Sequence, residues 1–142
     1  MNKRCGECGS TDLKLKKNQG PFPWKDFPMV FINTPVQLLT CRCGNYILRH
    51  EDIGSLDKKI ENSIKEQTQS LIDRVLEREH CSQVELAQRI GITPQHLCAL
   101  KSGAKTAGFQ TFNFLKILAL DEKAFKVADP QEAIGKLKKA AG

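Results

Sequence analysis

A chain of 142 residues has room for one domain of ordinary size or two small ones, which excludes a large enzyme fold. With 22 Lys and Arg against 16 Asp and Glu the net charge is +6, a balance that favours an anionic partner, nucleic acid before a membrane surface. No apolar run is long enough to cross a bilayer and no signal-peptide pattern follows the first Met, so the chain is expected in the reducing cytoplasm, where six cysteines point to metal ligands and buried thiols before disulfides.

The chain opens on Cys5-Gly6-Glu7-Cys8-Gly9, the form of a zinc knuckle: two cysteines two residues apart let a tight turn aim both thiolates at one metal, and the next glycine takes the backbone conformation the turn needs. Short β-like runs follow at Leu13 to Lys16, Met29 to Ile32, Val36 to Leu39 and Tyr46 to Leu48. Between them, Gly20 to Pro28 is rich in proline and aromatic residues. With Phe31, the rings of Phe22, Trp24 and Phe27 either roof a small domain or stand out as a protein-binding patch. Cys41-Arg42-Cys43-Gly44 supplies the second half of a metal site in a C-x-C spacing, one residue shorter than the usual form, with His50 as a substitute fourth ligand. Four N/S ligands close a structural zinc, and no His/Glu motif of a catalytic metal site accompanies them; a structural Zn2+ on Cys5, Cys8, Cys41 and Cys43 is expected, in a domain spanning 1–54 that is too small to fold on its apolar content alone.

From Ser55, a plausible N-cap, the period becomes helical, and Leu56, Ile60, Ile64, Leu71 and Val75 fall near one stripe. A linker helix over 55–68 is expected to run into a second domain over 69–142, with a break near Gln67 to Ser70. Cys81 and Cys98 occupy apolar positions and read as small buried core residues. Ser82-Gln83-Val84-Glu85 is a capping box that fixes a helix start, and Val84, Leu86, Ala87 and Ile90 form its apolar face up to the turn at Gly91. After Ile92, Thr93 is a second N-cap with Pro94 at the first helical position, and Leu97 and Leu100 continue the buried face to Ser102-Gly103. Two short helices about a glycine turn make a helix-turn-helix. Further helices are expected at Thr111 to Leu120, with Phe112, Leu115, Leu118 and Ala119 inward, and at Glu122 to Val127. The basic end, Lys136 to Gly142, is expected to fray. The fold class expected is mainly α: a small zinc-bound, β-rich N-terminal domain followed by an all-α helix-turn-helix bundle.

The segment Ser82 to Gly103 resembles the Cro/repressor-like (XRE) helix-turn-helix family over roughly Gln69 to Val127, departing from it at Lys101 and at Thr106 to Phe109. With the cysteine pairs in front, the whole chain resembles the MqsA type of antitoxin, although the C-x-C spacing differs from that type's paired C-x2-C. The resemblance implies a repressor of its own operon whose zinc domain binds a toxin of the mRNA interferase type and whose XRE domain binds double-stranded operator DNA. In that arrangement the helix from Thr93 lies in the major groove with Gln95, His96 and Ala99 at base edges. Gln83, Thr93, Lys101, Ser102, Lys105 and Thr106 are placed to hold phosphates. A homodimer is expected, joined through Phe125 to Leu137 or through the linker helix. The competing readings are a stand-alone or phage-type XRE regulator without a toxin, a metal enzyme or thiol oxidoreductase using C-x-x-C, and an RNA adaptor; the expectation is that the chain is not an enzyme.

Overall fold

The computed structural model describes residues 3–132 and residue 134. Lys136 to Gly142, and residues 133 and 135–137 of the expected dimer surface, lie outside the described residues. The chain divides into two compact units, Met1–Ser63 and Ile64–Gly142. The division falls inside one helix, so the segment 55–68 contributes to both units. Five short strands come first and five helices follow, a small antiparallel sheet region ahead of a helical one.

In the first unit, β1 (Leu13–Asn18), β4 (Val36–Cys41) and β5 (Tyr46–Ile47) form an antiparallel sheet in the order β1-β4-β5, and β2 (Phe22–Trp24) pairs with β3 (Phe27–Val30) in a separate hairpin. Leu13 lies opposite Cys41 and Asn18 opposite Val36, so the register of β1 on β4 carries the strand away from the first cysteine pair and back to the second. Alternation along β4 sends Val36 and Leu38 to the core. They pack with Phe22, Trp24, Phe27, Val30 and Ile32. The Phe22 ring meets Tyr46 edge-on at 5.6 Å, which ties the hairpin to the sheet. Three of the four rings are therefore core, and Phe31 alone stands out, 58% exposed. Gly20 precedes β2 at φ +110°, and a Cβ there would stand 2.5 Å from the Val30 carbonyl oxygen, so only glycine fits the turn.

Helix α1 (His50–Glu79) starts five residues before Ser55. The reason is local. The Asp52 carboxylate accepts the Arg49 backbone N–H at 2.9 Å and the Arg49 guanidinium at 2.9 and 3.0 Å, which closes the first turn in the manner of a capping box. The guanidinium holds the Asp52 carboxyl below the usual carboxylate range, so the cap stays charged. Within this unit the helix is pinned by Trp24 Nε1, which donates to Asp57 at 2.6 Å, and by the Asn33 N–H, which donates to Ser63 Oγ at 3.1 Å. The helix is continuous through Gln67 to Ser70, where the buried Thr68 hydroxyl donates back to the Ile64 carbonyl.

In the second unit the end of α1 packs with α2 (Gln83–Ile90), α3 (Pro94–Ser102), α4 (Phe109–Leu120) and α5 (Glu122–Val127). Its core is Ile72, Val75, Leu86, Ala87, Leu97, Leu100, Ala107, Leu115, Leu118, Ala119 and Phe125. Ile72 takes the fully buried place that the stripe assigned to Leu71, which packs at the margin, and Val84 is half exposed. Arg78 closes the far end of α4, its guanidinium donating to the carbonyls of Leu118 and Ala119 at 2.6 and 2.8 Å. A cation there satisfies orphan carbonyls and complements the helix dipole. Arg89 plays a similar part for α5: it lies over the Phe125 ring at 4.1 Å and reaches Glu85 and Asp129 at 3.2 and 3.7 Å. No helix among the described residues is long and apolar enough to cross a membrane.

Candidate metal centre and candidate DNA-reading helix

The first knuckle is built by backbone hydrogen bonds. Gly9 N–H donates to the Cys5 carbonyl and Cys5 N–H to the Ser10 carbonyl, both at 2.9 Å, with Gly9 at φ +72°. The second repeats the plan one residue shorter, Gly44 N–H to the Cys41 carbonyl at 2.9 Å and Cys41 N–H to the Asn45 carbonyl at 2.8 Å, with Gly44 at φ +92°. The left-handed glycine turns each chain back quickly enough for C-x-C to do what C-x2-C does across the site. Cys5 Sγ stands 3.5 Å from Cys43 Sγ and Cys8 Sγ 3.3 Å from Cys41 Sγ, and all four sulfurs lie within 4.8 Å of one another. Four cysteines so placed could hold a metal ion. His50 does not join them; it is exposed and opens α1.

The thiols are electrostatically unequal. Amide groups of Cys8 and Glu7 pull the Cys5 thiol down to about 6, against its own burial, with help from Cys43 and Asn45. The Ser10 amide also pulls on Cys8, but the neighbouring Cys41 thiol and desolvation outweigh it and push Cys8 up to about 12. Cys43 is pushed up as well: the Asn45 amide lowers it, and the Cys5 thiol and desolvation prevail. Crowded thiols that each receive an amide N–H are suited to sharing a cation, which replaces the protons they otherwise keep.

In the second unit each helix start has its own lock. Ser82 Oγ accepts the Glu85 N–H at 3.1 Å; Glu85 itself turns to Arg89, so only one half of the expected capping box forms. Gly91, at φ +86°, ends α2 and donates to the Ala87 carbonyl. Thr93 Oγ1 accepts the His96 N–H at 3.1 Å and Pro94 sits in the first turn of α3. With Leu97 and Leu100 fully buried, the opposite edge of α3 faces outward. Gln95 and Ser102 are on it, exposed; His96 and Ala99 are half-buried along its flank. The Ser102 hydroxyl is engaged, donating to the Ala99 carbonyl at 3.2 Å and accepting the Ala104 N–H.

A shallow cavity of about 490 Å³ brings together Thr93, Gln95, His96 and Lys105 with Gly91 and Ile92. Lys105 is exposed, whereas Lys101, Thr106 and Gln83 are half-buried. Cys98 departs from the expectation of a core residue: it is exposed on α3, because it lies about 100° around the helix from Leu97 and away from Leu100. Cys81 is no helix residue; it sits half-buried in the loop before α2, where burial pushes its thiol up. Between Glu85 and Asp121 the chain carries four cations, Arg89, Lys101, Lys105 and Lys116, and no carboxylate over 35 residues. The surface around α3 is thus cationic with no carboxylate of its own stretch to offset it.

Set against models of known families, curated proteins and solved structures, the chain matches none of them.

Proposed function

We propose that this chain is a cytoplasmic, sequence-specific regulator that binds duplex DNA through α3, as a homodimer, and that a structural zinc holds its N-terminal unit. The observation that carries the DNA reading is the outward edge of α3, set in a carboxylate-free cationic stretch and backed by a capped, fully packed bundle. A rigid helix whose first turn is exposed fits the major groove, where Gln95 can pair with an adenine edge and Lys105 can meet a phosphate. For zinc the support is the donor set. A tetrahedral ion with bonds of about 2.3 Å spaces its sulfurs by roughly 3.8 Å, near the two short separations here. Four thiolates fill such an ion and leave no position for water, so the reading is structural and non-enzymatic. A second copy is supported by Ile117, Leu120 and Val127, large apolar side chains left half or more exposed on α4 and α5.

Selection of bound sequences from random duplexes at fixed, moderate salt tests the DNA reading. Gln95→Ala is expected to relax one position of the selected motif, at a cost of about 1–3 kcal/mol there, and Lys105→Ala to weaken all sequences alike while reducing the salt slope by about 1. If the two variants behave the same way, these roles are wrong.

The further step, to an antitoxin that represses its own operon, rests on the resemblance to the MqsA type and on the exposed Leu15, Met29 and Phe31 of the first unit, a surface suited to a protein partner. The expected result is that the product of a toxin-like reading frame beside the gene binds the full chain, and that chelation abolishes this while the selected DNA motif is kept. A neighbouring product that does not bind leaves a stand-alone regulator.

A further inference from the structure

We infer that Cys98 reads a base edge beside Gln95, an assignment that rests on the DNA-binding reading of α3. Leu97 and Leu100 fix which side of the helix is buried, and the residues opposite them are Gln95, Cys98 and Ser102. Ser102 is committed to Ala99 and Ala104, so the amide of Gln95 and the thiol of Cys98 are the groups this edge offers. They stand one turn apart, about 4.5 Å along the helix axis, which spans one or two base pairs at roughly 3.4 Å each. His96, by contrast, turns toward the cavity with Thr93 and Lys105.

A thiol is small, polarizable and only weakly polar, so it behaves toward a base edge much as an apolar group does. The base feature that rewards an apolar contact in the major groove is the thymine C5-methyl. The structure therefore assigns Cys98 a thymine, one or two base pairs from the adenine of Gln95.

The test uses the full, zinc-loaded chain with its selected duplex and N-ethylmaleimide, reading each cysteine by peptide mapping. Modification of Cys98 is expected to slow at least tenfold in the complex, whereas Cys81, away from this edge, keeps its rate. In a repeated selection, Cys98→Val should keep the thymine and Cys98→Ser should reduce its preference about fivefold, with the salt slope unchanged in both. A duplex that binds while Cys98 reacts at the free rate, or a Cys98→Ser motif identical to the parent's, overturns the assignment and leaves DNA binding intact. A wild-type selection that returns no motif overturns the regulatory reading and this one with it.

Discussion

Serine in place of Cys41 is expected to unfold the N-terminal unit and to leave the helical bundle folded. Cys41 is fully buried at the end of β4, in register with Leu13, and its backbone forms the second knuckle. The apolar core above it is small: a handful of rings and aliphatic side chains in about sixty residues, a size at which burial alone is marginal. A structural zinc supplies roughly 10 kcal/mol or more of apparent folding free energy, comparable to the whole stability of a typical domain, about 5–15 kcal/mol. Exchanging one thiolate for a hydroxyl that does not bind zinc removes much of that. In amide spectra of the full chain, the signals of β1 and β4 should collapse to random-coil positions, and those of Leu86, Leu97 and Leu115 should stay. Chelation of the wild type should reproduce the pattern, and so should acidification, since protons then compete for the thiolates. Dispersed β1 and β4 signals in Cys41→Ser would show that the sulfurs serve something other than the fold, the outcome a thiol oxidoreductase predicts.

The sequence made the second unit more legible than the first because its local signals do not depend on distant partners. Ser82 and Thr93 cap the helices that their positions announced, Gly91 turns where a residue with positive φ is required, and α5 spans Glu122–Val127 as expected. The four cysteines were legible by type, and the structure brings their sulfurs together without His50. What the sequence concealed is set by tertiary context. The start of α1 hinges on an Arg49–Asp52 clasp that no apolar period registers, and the residues after it are solvent-exposed, so the stripe seemed to begin near Ser55. Strand β2 hides in a Pro-rich run whose prolines suggested a loop, although Phe22 and Trp24 alternate inward around Pro23. Cys98 misled by composition: cysteine is usually buried, yet only its angle relative to Leu97 and Leu100 decides its side of α3. Arg78 and Arg89, which close helix ends and clasp a ring from other elements, give no signal in a linear pattern at all.

Truncating Leu97 to alanine should separate the helix as scaffold from the helix as reader. Leu97 is fully buried on α3, in the cluster with Leu86, Leu100 and Leu115, on the side away from Gln95. Removing its side chain costs the lost transfer free energy plus the cavity left behind, about 2–5 kcal/mol, because α2 and α4 cannot both collapse onto the gap. For a bundle of this size that corresponds to a fall in melting temperature of roughly 10 °C or more. DNA binding by Leu97→Ala should then track the folded fraction: weak near the new midpoint, recovered on cooling, with the selected motif unchanged. Gln95→Ala should do the reverse, melting as the parent does while one position of the motif relaxes. Leu97→Met, which conserves volume, should cost less than about 1.5 kcal/mol and bind as the parent binds. Were Leu97→Ala to melt as the parent does, Leu97 would not be what anchors α3. The outward edge would then lose the rigid backing that makes it a plausible reader, since a helix free to rock on its bundle spends in ordering the contact energy that base edges provide.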